Sequence, residues 1–142
     1  MATASQLLKQ KTRAVYSVPP DAPVLEAIRE MAEHSVGALL VMQGDQLAGV
    51  LSERDYARKV ILKGRSSSAT KVSEIMSTPV LTVRPDQSVN DCMRLMTENR
   101  VRHLPVLDGE RVIGVLSIGD LVRAVVEEQA KTIEQLEQYI HS

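Results

Sequence analysis

The stretch "GVLSERDYARKV" at residues 49–60 returns as "GVLSIGDLVRAV" at residues 114–125. Both versions hold Gly-Val-Leu-Ser, an Asp three residues beyond the Ser, and an Arg three beyond the Asp. Working outward, residues 15–61 align with residues 80–126 at a constant offset of 65 without a gap, and 19 of the 47 aligned positions are identical. The shared positions include Pro20/Pro85, Asp21/Asp86, Met31/Met96, Leu39/Leu104, Val41/Val106, Gly44/Gly109, Gly49/Gly114, Ser52/Ser117, Asp55/Asp120 and Arg58/Arg123. An ungapped match of this density makes the chain two copies of one supersecondary unit, each too small for a comfortable core alone.

Each copy has the same plan. A short β-branched run opens it, "VYSV" at 15–18 and "VLTV" at 80–83, and a Pro-Asp turn follows. Val24, Ala27, Ile28 and Met31, matched by Val89, Cys92, Met93 and Met96, have the i, i+3/i+4, i+7 spacing of a helix with one inward stripe. "SVND" at 88–91 resembles a capping box with Asp in the Glu place, and Pro23 in copy one suits a first helical turn. "ALLVMQGDQLAGVL" and "HLPVLDGERVIGVL" read as strand pairs about a Gly turn, Asp108-Gly109 being a strong hairpin signal. Gly49 and Gly114 fall inside predicted strands, where a Gly marks a bulge or a close approach of ligand or backbone. A second helix starts at Ser52 or Ser117. The expected order is β-α-β-β-α, twice, in an α/β (α+β) fold.

The expected segments are a helical prelude at 1–14, a first repeat at 15–61, a linker and second prelude at 62–79, a second repeat at 80–126 and a helical extension at 127–142. In the extension Val126, Ala130, Ile133, Leu136 and Ile140 make a partial apolar stripe. It suits a helix packed on its own domain or a contact between two copies.

Composition narrows the function. The chain has no Phe, no Trp and three Tyr, so its core is aliphatic. A net charge of −1 argues against a DNA binder held by general electrostatics. The single Cys92 excludes an internal disulfide and a cysteine zinc cluster, and its place on the inward stripe suits a core residue. The longest apolar run, "VGALLVM" at 36–42, is far short of the roughly 20 residues that span a bilayer. With no basic-then-apolar leader, the reading is a cytoplasmic protein. None of His34, His103 and His141 is read as having a metal-ligand partner, and the glycines form no phosphate loop. No catalytic residue and no metal site are assigned, and the chain is read as not an enzyme.

Two β-α-β-β-α repeats, each with a hydrophobic-Gly-hydrophobic-hydrophobic-Ser-x-x-Asp junction, resemble the cystathionine β-synthase (CBS) domain pair. The phrases "GALLV", "SERDYARKV", "RVRHLPV" and "GVLSIGDLV" are most similar to small stand-alone bacterial CBS-pair proteins. The resemblance covers about residues 5–130. It implies two repeats related by pseudo-twofold symmetry, with two clefts between them that bind AMP, the first choice, or ADP, ATP, NAD or S-adenosylmethionine. It also implies a homodimer of pairs and a regulatory, signal-transducing role exerted through oligomer or partner contacts, the protein target being unidentified. The alternative is a protein-interaction module with vestigial clefts. RNA contact through Arg94, Arg100, Arg102 and Arg123 is a third reading, without stacking aromatics to support it.

Residue by residue, Ser52/Asp55 and Ser117/Asp120 have two compatible readings. A Ser followed three residues later by an acid is a helix N-cap signature. An ionised Asp is also an acceptor-only group that suits a ribose diol, and a Ser hydroxyl with helix N–H groups suits phosphate. In the family the matching Asp binds ribose, and the matching Ser or Thr binds phosphate or ribose. Arg102 and His103 are candidate phosphate ligands, where copy one has Gly37 and Ala38. Glu53-Arg54 stand where copy two has Ile118-Gly119, so the two sites should differ. Arg54 is a further ligand candidate. Tyr16, Val18, Thr82 and Val83 match strands that line the adenine pocket in the family, and Pro105 matches a position against the base. Lys9, Lys11, Arg13, Arg54, Arg58, Lys59, Lys63 and Arg65 make a basic excess read as belonging to copy one.

Overall fold

Val24–His34 forms helix α2 and Val89–Asn99 forms helix α5. They bury Val24, Ala27 and Met31, and Val89, Cys92 and Met96, while Ile28 and Met93, the other members of the expected stripes, are half-buried. Both helices end on a residue in the left-handed region, Ser35 (φ 54°) and Arg100 (φ 54°). The computed structural model describes residues 2–11 and 15–141. Its chain order is α1 (Ala4–Gln10), β1 (Ser17–Val18), α2, β2 (Ala38–Gln43), β3 (Gln46–Ser52), α3 (Glu53–Tyr56) running into a π-helical turn (Ala57–Ile61), α4 (Val72–Ile75), α5, β4 (His103–Asp108), β5 (Arg111–Ser117) and α6 (Ile118–His141). The hairpins β2–β3 and β4–β5 keep the 65-residue offset of the sequence repeat at every boundary.

Each hairpin is antiparallel and turns at a Gly with positive φ, Gly44 (61°) and Gly109 (65°). Each slips register by one residue, after Val41 and after Val106, so the bulge falls beside Gly49 and Gly114. The opening strands are shorter than expected. In copy one the Leu40 N–H donates to Tyr16 O at 3.2 Å and supports β1. Copy two has Pro105 at that place, which has no N–H to give, so "VLTV" keeps only a parallel bridge between Val83 and Val106.

The chain divides into two compact units, residues 14–81 and residues 1–13 with 82–142. The preludes therefore cross. α1, which precedes copy one in sequence, completes the unit of copy two. The Ala4 N–H donates to Gln87 O (2.8 Å), the Ser5 N–H to Pro85 O (2.9 Å), and the Val89 N–H to Ala2 O (3.0 Å). In the other unit, the Val72 N–H donates to Ala22 O (2.9 Å), the Ser73 N–H to Pro20 O (2.9 Å), and the Val24 N–H to Thr70 O (2.8 Å). Ala4 and Leu7 are buried with Val83, Val89, Cys92, Met96, Leu104, Val106, Leu116 and Leu121. Val72 and Ile75 join a core of Val18, Ala22, Val24, Ala27, Met31, Leu39, Val41, Leu51 and Val60.

The two strand glycines make room for this crossing. A Cβ on Gly114 would lie 2.5 Å from the Leu8 side chain, and one on Gly49 2.7 Å from Met76 Sδ and 3.1 Å from Ser77 O. Among the described residues, no helix is long and apolar enough to cross a membrane. α6 runs unbroken for 24 residues. Of its length only Leu121 is buried, and the stripe from Val126 to Ile140 is exposed rather than packed on its own unit.

Gly114→Ala should destabilise the fold by about 1–3 kcal/mol through overpacking. Adding Leu8→Ala, which vacates the space, should make the double variant more stable than the sum of the single losses requires. Urea unfolding of the four proteins measures this coupling, and strict additivity would contradict the contact.

Candidate functional site

Each hairpin delivers a serine to the end of its last strand, and the next residues start a helix. At the second junction the Ser117 N–H donates to Asp120 Oδ2 (2.8 Å), and the Asp120 N–H donates back to Ser117 Oγ (3.2 Å). At the first, the Ser52 N–H and Ser52 Oγ both donate to Asp55 Oδ2 (2.9 and 3.0 Å), and the Asp55 N–H donates to Ser52 Oγ (3.1 Å). Both are closed capping boxes, so the N-cap reading of the Ser-x-x-Asp phrase holds in both copies.

What reaches the carboxylates from elsewhere differs. Asp120 meets Lys11, whose Nζ lies 2.9 Å from Oδ2 and also donates to Val115 O at 2.6 Å. Asp55 meets Ser77 Oγ, which donates to Oδ1 at 3.1 Å, and Lys59 Nζ at 3.2 Å from the same oxygen. Lys59 is also tied to Ile75 O at 2.9 Å. A carboxylate has about four lone-pair sites. Asp55 receives four donors: the Ser52 N–H, Ser52 Oγ, Ser77 Oγ and Lys59 Nζ. Asp120 takes two close donors, both on Oδ2, and the Ser117 hydroxyl also acts on the carboxylate, while Oδ1 accepts no close hydrogen bond from the described residues.

The remaining copy-two candidates lie on β4, next to it in the chain, or on the segment bonded to it. His103 pairs with Ser117 across β4–β5, and the Ile118 N–H donates to Arg102 O at 2.9 Å. Arg102 is exposed. The Val83 N–H donates to Pro105 O at 3.0 Å, which sets Thr82 and Val83 alongside β4. Val83 and Pro105 are buried, and Thr82 is half-buried. In the first unit Val18 is buried and Arg54 exposed. Tyr16 stacks on His34, with ring centroids 3.8 Å apart and planes 12° from parallel.

Electrostatics set the protonation states of the second junction. Burial raises the Asp120 carboxyl, but the Ser117 N–H and the Lys11 ammonium outweigh it, so the group sits below its ordinary carboxylate value. Burial first, then the charges of Lys11 and Arg102, lower His103, against the opposing pull of Asp120. His103 is therefore neutral at pH 7 and offers one N–H rather than a full positive charge. Burial, with the Asp91 charge, raises the Cys92 thiol, in keeping with a core residue.

Two sequence readings need correction. Lys11 belongs to the copy-two junction, not to a basic patch of copy one, because its segment crosses over. Arg13 lies outside the described residues. Within copy one, Lys59 is paired with Asp55 and Arg65 with Glu74 (2.7 Å), while Arg58 and Lys63 are exposed. Second, His34 does have acid neighbours at metal-ligand spacing. Donor atoms of Glu30, Glu33 and His34 lie within 4.8 Å of one another on one face of α2, with His34 Nε2 3.1 Å from Glu30 Oε2. Sequence reasoning also missed Ser77 as a partner of Asp55. Its only signal was its place just after a prelude.

Two bulged hairpins, each capped by a serine–aspartate junction and completed by a crossed prelude, define a tandem CBS pair. The CBS domain model matches residues 6–62 and 72–127, and the chain belongs to the CBS-domain family. A candidate signal-transduction protein with CBS domains from Burkholderia ambifaria has a solved structure with a TM-score of 0.87 and 54% identity, covering 90% of this chain and 96% of that one. The mitochondrial CBS domain-containing protein CBSX3 of Arabidopsis thaliana is 44% identical over 97% of this chain and 71% of its own length. A CBS pair solved with 5′-methylthioadenosine and S-adenosyl-L-methionine shares the fold, with a TM-score of 0.80 and 20% identity over 90% of this chain and 98% of that one.

Asp120 is held low, so its contribution to stability is complete above the unfolded-chain value near 3.9 and is lost as pH falls through its lower folded value. His103 is also held low, so stability already declines as pH falls below about 6.5. Lys11→Met removes a cation that lowers both groups, and both should titrate at higher pH in an NMR titration. Loss of a hydrogen bond to a charged group should also cost about 1.5–3 kcal/mol of stability. Unchanged titration of Asp120 and His103 would contradict the assigned pairing.

Proposed function

We propose that the copy-two junction binds the ribose and phosphate of an adenosine nucleotide, and that the chain is a non-catalytic regulatory module responding to that ligand. The observation that carries the reading is the open Oδ1 of Asp120. This oxygen can accept the O–H donors of a ribose diol without displacing Ser117 or Lys11. The Lys11 ammonium has three donors, of which Asp120 and Val115 O take two. The third, together with exposed Arg102, the His103 N–H and the Ser117 hydroxyl, suits a phosphate at the start of α6. Thr82 supplies a polar group toward the base, and buried Val83 and Pro105 form the apolar backing. AMP is the first choice, with ADP, ATP, NAD and S-adenosylmethionine behind it. The presence of S-adenosyl-L-methionine and 5′-methylthioadenosine in another CBS pair supports the adenosine class.

Copy one favours the second reading. Its junction residues Ser52, Arg54 and Asp55, with Tyr16 and Val18 on β1, share the scaffold, but Asp55 has no acceptor site to spare. Glu53 adds a negative charge at the helix start, where it would repel phosphate. That junction is a vestigial or weak site whose surface serves contact with a partner or a second copy.

Binding by calorimetry tests both halves. AMP should bind the wild type, and Asp120→Ala should lose about tenfold or more in affinity, the equivalent of 1.5–3 kcal/mol for hydrogen bonds to a charged group. 2′-Deoxy-AMP should lose a similar factor. Asp55→Ala should leave the affinity within about threefold, well under 1.4 kcal/mol. A larger loss from Asp55→Ala than from Asp120→Ala would reverse the assignment. No thermal stabilisation by any of the five ligands would leave only the interaction reading.

A further inference from the structure

Helix α6 runs for 24 residues, a length of about 36 Å, yet buries only Leu121. Beyond that anchor its apolar residues face solvent: Val122 is 46% exposed, Val126, Ile133 and Leu136 57% each, and Ile140 74%. With Gln129 these residues follow alternating steps of four and three: 122, 126, 129, 133, 136, 140. That is the seam of a coiled coil, with Val126, Ile133 and Ile140 at a positions and Val122, Gln129 and Leu136 at d positions. A helix packed on its own unit would not leave such a seam bare over three heptads.

We propose that α6 pairs with α6 of a second copy of this chain, antiparallel, about a two-fold axis level with Lys131. The charges choose the direction. Arg123, Ala130 and Glu137 occupy the e positions. In the antiparallel arrangement e positions flank e positions, so Arg123 of each copy meets Glu137 of the other, twice, and Ala130 meets Ala130. Both side chains are exposed and neither has an ion-pair partner among the described residues of its own chain. In the parallel arrangement g faces e, which sets Thr132 against Glu137 and Val125 against Ala130, with no opposite charges to pair. The core layers become Val126 with Leu136, Ile133 with Gln129, and Ile140 with Val122. The two Gln129 side chains then lie in adjacent layers, about 6 Å apart along the axis, within reach of one another across the two-fold. The contact is isologous and closes as a dimer rather than growing into a filament.

Register-specific disulfides in the full chain test this. Gln129→Cys and Ile133→Cys change exposed or half-exposed seam positions, and Cys92 is buried and stays silent. Antiparallel pairing brings position 129 against 133 of the other copy, within the Cα separation of about 4.4–6.8 Å that a disulfide bridges. Oxidising an equimolar mixture of the two variants should give a covalent product of twice the 15.6 kDa chain mass, and neither variant alone should give it. Parallel pairing predicts the reverse: each variant cross-links with itself and the mixture yields no heterodimer. That result, or no cross-link in any sample, would overturn the proposal, the latter leaving the seam to a different protein. Introducing Leu136→Glu into both variants should abolish the mixed product, while circular dichroism shows the helix retained.

Discussion

One carboxylate, three residues after a strand-ending serine, governs each half of this protein. Asp55 and Asp120 each take the serine's backbone N–H and return their own N–H to its hydroxyl. That reciprocal bond turns a strand into a helix within one residue, at a stability of about 1 kcal/mol per cap. It also fixes where each carboxylate points, so that the donors arriving from outside decide what acceptor capacity remains. The crossing of the preludes supplies those donors. Lys11 reaches Asp120 from the segment before copy one, and Ser77 reaches Asp55 from the segment before copy two. The crossing depends in turn on Gly49 and Gly114, whose missing side chains admit Met76 and Leu8.

Much of this was legible in the sequence. The repeat offset, the inward stripes of α2 and α5, the hairpin turns and the Ser-x-x-Asp capping boxes follow from local rules of spacing and turn chemistry and are present, while "SVND" forms only the Ser88 half of its box, Asp91 turning to Arg94 instead. The crossing was not legible. The preludes correspond at an offset three residues longer than the repeats, Leu8 with Met76 rather than with Ser73, so they fall outside the ungapped alignment. Chain order alone accordingly groups Lys11 with a basic patch on the wrong repeat. The sequence readily suggested that Glu53-Arg54 and Ile118-Gly119 make the junctions unequal. The stronger source of inequality is the number of donors on each Asp, which depends on residues far away in the chain. Pro105 shows the same limit in miniature: its lost N–H shortens a strand that β-branched composition alone would have extended.

These features fit a signalling role within the CBS family. The chain holds two copies of one scaffold, and small differences in supporting side chains give their junctions different hydrogen-bond surroundings. One junction keeps an ionised, half-satisfied carboxylate beside Lys11, Arg102 and a neutral His103. The other has closed its carboxylate with internal donors and keeps a negative residue at the helix start. The unit that holds the open junction also carries α6, which begins at the residue after Ser117. Asp120 lies in the first turn of the helix whose far end is bare, so under the proposed function occupancy of that junction would act directly on α6.

Under the proposed function only one of two look-alike junctions has acceptor capacity for a ribose. The stoichiometry of AMP binding, measured by calorimetry on the intact chain, tests it most directly. One AMP per chain, retained in Asp55→Ala and abolished or severely weakened in Asp120→Ala, is the predicted result. Two equivalent AMP molecules per chain, each lost with its own aspartate, would contradict it.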